Sequence, residues 1–400
     1  MSLANGIESV SIYFYTGDFA EAYRRFHTGE AQVYATHDEL CRLFDDLAKV
    51  GVKVSVYSFV SEAYSIERPN DWLTITSLGA RKYNQNQILR QAIKADESAA
   101  IIPHFSNPVL IGAAIRRGAR IAAITAGSFN RGTLRELIER TRLVRLYNNP
   151  RVEFVANHCI PSTLKFLQYG IDPAKLLAWD IPHKYTPSDF APKTLAPSDR
   201  FQIAFAGVIS EPKGVGDLIR AIGLLKGSGT RVQARIAGKG EIDLMSELAA
   251  SLGISDQIEF LGLVPNDQVI QLFQTSHAVC VPSRHDFGEG FPLTLFEAIA
   301  SRSPIICSDH PMFTPILRHG ESACIFPSGD ARELANQVHR LARDGKLYHQ
   351  LSLSADLTWE RLSHSADWRT LIYNWVTTGP DDSWIRSKVM ANQDLTDYQS

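Results

Sequence analysis

Two carboxylates separated by seven residues, Glu289 and Glu297, have the residue types and spacing best suited to chemistry in this 400-residue chain. An apolar run that ends in a turn signal precedes Glu289, and apolar residues at helical spacing follow it. We therefore expect Glu289 on a loop and Glu297 in the early turns of a helix. The N–H groups of about Phe291–Thr294 would be the unpaired donors of that helix start, which favours an anion. The pattern predicts a site for a ligand with hydroxyls and phosphate, such as a nucleotide-activated sugar.

A lysine beside a second helix start adds a cation to this prediction. Lys213 follows a strand-like run that ends at Gly207, and an amphipathic helical pattern comes next. An ammonium group there could neutralise a diphosphate as the bond from the diphosphate to a sugar breaks. A lysine at a helix start can also be simply solvated, but the neighbouring motifs favour the functional interpretation.

Together these motifs resemble the retaining glycosyltransferases of family 4, which have the GT-B fold. Glu289 to Glu297 is similar to the family's E-x7-E signature, and Phe205–Gly214 is similar to its strand, glycine turn and lysine. The resemblance covers residues 201–330 well and the first half of the chain loosely. Four further segments fall in the family's order and approximate spacing: Ile236–Gly240, Phe260–Val264, Val281–Ser283 and Ser303–Cys307.

The resemblance implies individual roles. Glu297 would accept hydrogen bonds from the ribose hydroxyls, since an ionised carboxylate offers only acceptors; capping near a helix start is the alternative. Glu289 would contact sugar hydroxyls or the charge that develops at the anomeric carbon, unless it is an exposed loop acid. Val264 would lie beside the nucleobase through its main chain, or be an ordinary loop residue. The other implied donor-binding residues are Gly207, Lys213, Ser283, Arg284, Gly290, Phe291, Pro292, Leu293 and Thr294.

The sequence departs from the family in three places. The family usually has Arg after the glycine of the phosphate turn, where this chain has Val208; Arg284 is a candidate to compensate. Gly17 lies in a loop with one glycine, where the family has a glycine-rich loop near donor and acceptor. A second histidine of the family would fall near Ala126 and is missing. His104, at the end of a strand, would orient an acceptor hydroxyl or contact the sugar, or be structural.

The length and the alternation of patterns predict two domains. Four hundred residues exceed one ordinary core, and strand-like runs alternate with helical patterns in both halves. We expect a Rossmann-like acceptor-side domain at 1–195, a nucleotide-sugar-binding domain at 200–375 and a tail at 376–400. The GT-B resemblance implies doubly wound α/β domains that face a central cleft. It also implies that a helical segment, Thr358 to Trp375, crosses back to the first domain, with the tail either packing there or remaining mobile.

Composition narrows the class of protein. Five scattered cysteines, none in a C-x-x-C pattern, argue against a disulfide framework or a structural zinc site. There is no D-x-D, no H-E-x-x-H and no cluster of Cys and His along the sequence, so we expect no metal and no cofactor. No basic, apolar leader and no apolar run of about 20 residues is evident. The expected location is cytoplasmic, or at the inner face of the membrane.

One stretch is strongly basic. Between Arg116 and Arg145 there are eight arginines and two glutamates, a local charge of +6. A solvated helix face with internal ion pairs is the favoured interpretation, and a surface that meets anionic lipid or a phosphorylated acceptor is the alternative. Nucleic acid is not an expected partner, because no recognition motif accompanies the patch.

The sequence thus predicts a retaining, metal-independent enzyme of polysaccharide or glycolipid synthesis. It would transfer a hexose-type sugar from a nucleoside diphosphate to a hydroxyl of a glycan, lipid-linked or small-molecule acceptor. Retention follows from the resemblance alone. Glu289, Lys213 and His104 are the predicted catalytic residues. Val208 and Ala126 leave open a partner or binding subunit without turnover, and a nucleotide-sugar epimerase or hydrolase is a further alternative.

Overall fold

A computed structural model describes residues 6–16, 19–30, 35–81, 85–127, 134–363 and 365–398. The chain divides into two compact units. The first comprises Met1–Pro182 and His364–Leu395, and the second comprises His183–Ser363 and Thr396–Ser400. Each unit contains one largely parallel sheet with helices as crossovers, which is the architecture that alternating strands and helices specify. The α/β fold expected from the sequence is confirmed.

The first unit has a nine-stranded sheet in the order β15-β8-β7-β6-β5-β1-β2-β4-β3. Every neighbouring pair is parallel except β3 with β4. Its strands are β1 (Ser9–Thr16), β2 (Lys53–Val60), β3 (Tyr64–Asn70), β4 (Leu73–Ala80), β5 (Ala100–Pro103), β6 (Arg120–Thr125), β7 (Val152–His158), β8 (Leu176–Asp180) and β15 (Ala366–Asp367). Its helices are α1 (Phe19–Thr28), α2 (Ala35–Lys49), α3 (Asn86–Ala95), α4 (Pro108–Arg117), α5 (Leu134–Tyr147), α6 (Cys159–Gln168), α14 (Trp368–Thr377) and α15 (Ser383–Lys388).

The C-terminal segment of the first unit corrects one expectation. The segment from Thr358 to Trp375, predicted to be helical, is helical only in part, because one helix ends at Leu362 and α14 begins at Trp368. Asp367 caps α14 by accepting a hydrogen bond from the N–H of Thr370 (2.8 Å), and the two residues before α14 form a strand. The apolar residues keep a helical spacing across this break, so the sequence pattern does not show where the helix is interrupted. The buried face of α14, including Trp368 and Trp375, then packs into the first unit's core.

The second unit has a six-stranded, all-parallel sheet in the order β11-β10-β9-β12-β13-β14. Its apolar core contains the inner faces of the strands and of the flanking helices. The strands are β9 (Phe201–Ala206), β10 (Val232–Ala237), β11 (Ile258–Gly262), β12 (Ala278–Val281), β13 (Ile305–Ser308) and β14 (Cys324–Phe326). The helices are α7 (Val215–Leu225), α8 (Ile242–Ser251), α9 (Asn266–Thr275), α10 (Leu293–Ala300), α11 (Ala331–Leu341), α12 (Gly345–Leu353) and α13 (Ala355–Leu362).

Within the described ranges, no helix combines the length and the apolar character that crossing a bilayer requires.

Candidate functional site

The turn between β9 and α7 is built by close approaches of the backbone. Gly214 has φ of 76°, and a Cβ at that residue would lie 2.0 Å from the carbonyl oxygen of Pro282. A Cβ at Gly238 would lie 1.8 Å from the carbonyl oxygen of Gly207. Only glycine tolerates both the left-handed conformation and the missing space. The turn therefore lies directly against the chain that leaves β12, and it brings Lys213 to the carboxyl edge of the sheet.

Three predicted residues meet at this edge. The Lys213 ammonium donates a hydrogen bond to Glu289 Oε1, and the Ser283 hydroxyl donates to the same oxygen at 2.6 Å. The side chains of Lys213 and Glu289 are only 13% and 7% exposed. The Lys213 Nζ atom also lies 4.7 Å from the centroid of the Phe287 ring. The cation and the carboxylate therefore neutralise each other in a largely buried position, and we call them the Lys213–Glu289 pair.

The start of α10 offers backbone donors beside this pair. The helix begins at Leu293 after Pro292, and in the described structure no side chain caps it and no acid stands in its first turn. The Thr294 hydroxyl donates to the carbonyl of Ala206 at 3.0 Å, which fixes the helix start against the end of β9. The uncapped N–H groups give this end of α10 a partial positive charge. Phe291 does not belong to the helix and is instead buried against Phe296.

Glu297 lies in the second turn of α10, as the spacing predicted. Burial raises the pKa of its carboxyl group to about 7. Within the described residues this carboxyl group makes no hydrogen bond, so its oxygens remain available as acceptors. A carboxyl group with this pKa changes charge near neutral pH, so its strength as an acceptor depends on pH in that range.

Comparison with known proteins identifies this half of the chain. Residues 188–356 match the sequence model of the family described as glycosyl transferases group 1. These residues form a group 1 glycosyltransferase domain. The match agrees with the family expected from the sequence over these residues, which contain the Lys213–Glu289 pair, the start of α10 and Glu297.

Curated relatives match only part of the chain. The phosphatidyl-myo-inositol mannosyltransferase of Mycobacterium leprae is 31% identical over 146 residues, 36% of this chain and 38% of that protein. The D-inositol 3-phosphate glycosyltransferase of Streptomyces bingchenggensis is 27% identical over 205 residues, 47% of this chain and 44% of that protein. The chain thus spans less than half the length of these relatives.

Solved structures match over nearly the whole chain. Sucrose-phosphate synthase from Thermosynechococcus elongatus has a TM-score of 0.64 at 15% identity and covers 91% of this chain and 96% of its own. Anabaena HepE in complex with UDP has a TM-score of 0.63 at 14% identity, with coverage of 92% and 98%. These similarities show the fold, and the fold is GT-B.

Arg284 has partners inside the group 1 glycosyltransferase domain. Its Nε donates to Asp217 Oδ2 at 2.8 Å, and its Nη2 donates to Asp217 Oδ1 and Glu211 Oε1, each at 2.7 Å. These two acids raise the pKa of Arg284. Val208, where the family usually has arginine, is 54% exposed. Arg284 could replace the arginine that is missing at Val208 only if it gave up its hydrogen bonds to Asp217 and Glu211 and bonded to the ligand instead.

The predicted acceptor-side residues belong to the first unit. His104 follows β5, stacks on Phe14 with ring centroids 4.5 Å apart, and lies edge-on to Trp179 and Trp368. Its Nε2 is buried and finds no hydrogen-bond partner among the described residues. Burial lowers the pKa of His104 to about 4, so the ring is neutral at physiological pH. Gly17, the other predicted residue, lies outside the described residues.

His310 is a site residue that the sequence analysis did not identify. This buried histidine follows β13, and its Nδ1 accepts a hydrogen bond from the N–H of Met312 at 3.2 Å. Its Nε2 is then free to donate to the carbonyl of Phe287 at 3.2 Å. The same carbonyl accepts the N–H of Glu289 at 2.8 Å, so His310 holds the turn that carries Glu289. Its position just beyond the carboxyl end of a parallel strand was the available signal.

Proposed function

We propose that this chain is a retaining glycosyltransferase that moves a sugar from a nucleoside diphosphate to an acceptor hydroxyl. The observation that carries the proposal is the Lys213–Glu289 pair next to the uncapped start of α10. A diphosphate at this edge would take the ammonium and the helix N–H groups as donors. Glu289 would then be released from Lys213 and would accept hydrogen bonds from the sugar hydroxyls.

Two further contacts complete the donor site. Glu297 in its ionised form accepts hydrogen bonds from the ribose hydroxyls, because a carboxylate offers only acceptors. As the bond from sugar to diphosphate breaks, Lys213 and the helix start stabilise the negative charge on the leaving group. No side-chain nucleophile is required if the acceptor attacks on the face that the diphosphate leaves, which preserves the anomeric configuration. No metal ion takes part in this scheme.

The comparisons support the donor class. HepE, which shares the fold, was crystallised with UDP and with UDP-glucose. Several curated relatives carry names of sugar-transferring enzymes. A partner subunit without turnover is the second candidate, because Val208 removes one cation of the usual phosphate clamp.

The first experiment is a thermal-shift screen of the whole chain against UDP, GDP, ADP, TDP and their sugars. A ligand at about 100 times its dissociation constant stabilises the native state by about 2.7 kcal/mol. Lys213→Met should abolish the shift, whereas Lys346→Met, on the exposed start of α12, should leave it intact. A positive ligand is then incubated with candidate acceptors, and the anomeric configuration of the product is determined by NMR. No shift with any nucleotide would contradict the proposal, and binding without transfer or hydrolysis would favour the partner subunit.

We also propose that α5 meets the surface of an anionic bilayer. Leu134, Leu137 and Ile138 lie three and four residues apart on this helix and are 73%, 45% and 60% exposed. Leu137 and Ile138 line a depression that Arg142 and Arg145 continue, so apolar and cationic groups lie together. Such a surface suits partial burial in a layer of anionic headgroups.

Sedimentation with vesicles tests this contact. The chain should bind phosphatidylglycerol vesicles and lose that binding in high salt, whereas phosphatidylcholine vesicles should bind weakly. Ile138→Glu should abolish binding, and Leu244→Glu, at an exposed leucine of α8, should not. Equal binding by both variants would contradict the proposal and leave α5 as a solvated helix.

A further inference from the structure

We propose that His158, Cys159 and Asp180 form a zinc-binding site in the first unit. One ligand atom from each residue lies within 4.8 Å of the other two. These three residues are not among those that carry the proposed function, and the test of the site does not depend on that function. The sequence analysis expected no metal because it found no D-x-D, no H-E-x-x-H and no cluster of Cys and His; Asp180 is 21 positions from Cys159 along the chain.

The topology of the sheet brings the three residues together. His158 is the last residue of β7, Cys159 begins α6, and Asp180 is the last residue of β8. The two strands are parallel neighbours, and His158 pairs with Trp179, the residue before Asp180. The imidazole, the thiol and the carboxylate therefore meet at the carboxyl edge of the sheet, where α/β folds place their ligands.

The separations suit one tetrahedral ion. Cys159 Sγ lies 3.2 Å from His158 Nδ1 and 3.3 Å from Nε2, and His158 Nε2 lies 3.3 Å from Asp180 Oδ1. Ligand atoms on one zinc ion lie about 3.3 to 3.6 Å apart, given bonds of about 2.0 to 2.3 Å. The nearly equal sulfur distances place the thiol over the face of the ring. A rotation of the imidazole and a shift of the carboxylate by about 1 Å would bring all three to bonding geometry.

The surroundings hold each ligand in place. Cys159 has φ of 62°, and in the described residues Arg302 is the only other non-glycine residue with positive φ. A conformation that disfavours side chains persists only where the surrounding structure determines it. The His158 ring packs on Trp179 with centroids 4.9 Å apart, and Asp180 Oδ1 accepts the N–H of Ile181 at 2.8 Å. Supporting contacts of this kind orient metal ligands.

A nucleophilic role for Cys159 fits these observations less well. A strained cysteine between a strand and a helix, beside His and Asp, also resembles the arrangement of a covalent catalyst. The side chain is, however, only 1% exposed, so a substrate cannot reach the sulfur. A small ion, in contrast, can enter beside His158 and Asp180, which are partly exposed.

The ligand types select the metal. Imidazole and thiolate ligands suit zinc, and a carboxylate is also common in its sites. Three protein ligands leave the fourth tetrahedral position for water. The predicted stoichiometry is one Zn²⁺ per chain.

Cobalt provides a spectroscopic probe of the thiolate. The whole chain, freed of metal with a chelator, is titrated with Co²⁺ and then with Zn²⁺. We expect a sulfur-to-cobalt charge-transfer band in the near ultraviolet that saturates at one equivalent and disappears on adding Zn²⁺. Absence of the band at saturating Co²⁺ would overturn the proposal.

Variants assign the ligands. Cys159→Ser should abolish the band, and Cys41→Ser, at a buried cysteine of the same unit, should preserve it. Because Cys159 lies at a strained turn, two further variants keep the local packing. His158→Phe retains a ring against Trp179, and Asp180→Asn retains an acceptor for Ile181. Each should weaken Zn²⁺ binding by at least about 100-fold, while the melting temperature in chelator stays close to that of the wild type. Wild-type zinc affinity in both variants would refute the site.

Discussion

The carboxyl edges of the two sheets differ in how their polar groups are satisfied. In the second unit, the Lys213–Glu289 pair and Ser283 form a charged cluster. In the proposed scheme a charged ligand replaces the contact between Lys213 and Glu289 with its own contacts to each. In the first unit, His104 is neutral and enclosed by aromatic rings, with Nε2 unpaired among the described residues. The second edge is thus prepared for an anion, whereas the first presents neutral and metal-ligating groups. The contrast predicts that substitutions at the two edges have different effects.

The largest effect is expected at the charged cluster. Lys213→Met removes the cation that neutralises the leaving diphosphate, and the turnover number with the identified donor should fall about 10²- to 10³-fold. The same variant removes the cation that neutralises the mostly buried Glu289 carboxylate, which should lower the free energy of unfolding by about 3 kcal/mol. Urea unfolding and initial rates measure the two quantities.

A double variant separates the loss of stability from the loss of turnover. Lys213→Met with Glu289→Gln should recover most of the lost stability, because the buried negative charge that Lys213 neutralised is also removed, but none of the lost activity. Turnover in Lys213→Met within threefold of the wild type would remove the lysine from the mechanism.

The sequence predicted the second edge far better than the first. The motifs around Gly207, Lys213 and Glu289 are local in the sequence, and Gly214 is required by the close approach of the Pro282 carbonyl oxygen. Parallel strands then bring the strand ends together by topology alone. The exchangeable pairing of Lys213 with Glu289 and the bonds of Arg284 to Asp217 depend on side-chain orientation, which spacing does not determine.

The sequence did not predict the roles of His310 and Asp180 for the same reason. His310 acts through the carbonyl of Phe287, 23 positions away, and Asp180 meets Cys159 only because β7 and β8 are neighbours. Neither relation leaves a periodic or motif-like trace in the sequence. In the β3–β4 hairpin, β3 is an exposed edge strand without the apolar alternation that marks a half-buried strand, so the sequence gives little signal for it.

The contributions of Glu297 and His104 to folding stability should depend on pH in opposite directions. Burial raises the Glu297 pKa from 4.5 to about 7, so the native state binds the extra proton between these values and stability falls as pH rises. Burial lowers the His104 pKa from 6.5 to about 4, so the unfolded state binds the extra proton and stability rises with pH from 4 to 6.5. Each contribution is about 3 kcal/mol in total, and the two oppose each other.

Single variants should expose the opposing slopes. Between pH 4.5 and 6.5, the stability of Glu297→Gln relative to the wild type should rise with pH, and that of His104→Phe should fall. Denaturant titrations at four pH values measure both differences. Parallel curves for wild type and both variants would mean that neither group is protonated differently in the two states.

The smallest effect is expected at His310, which positions Glu289 through Phe287 and touches no substrate in the proposed scheme. His310→Phe keeps an aromatic ring but loses the donor to the Phe287 carbonyl, a bond worth about 1 kcal/mol. Donor affinity, measured calorimetrically, should therefore weaken about fivefold, because the turn that carries Glu289 is no longer held. His310→Gln restores an N–H donor and should recover most of this loss.

If the hydrogen bond of His310 contributed only to the stability of the fold, its removal would not change donor affinity. His319→Phe removes a comparable hydrogen bond, which a ring nitrogen accepts from the N–H of Ile325 in β14 (3.0 Å), and it should leave donor affinity unchanged. If His310→Phe and His310→Gln weakened binding equally, volume rather than the hydrogen bond would set the position of Glu289. Suppose that His310→Gln restores donor affinity and that His319→Phe has wild-type affinity. His310, which follows β13, would then belong with the charged cluster, in contrast with the neutral surroundings of His104.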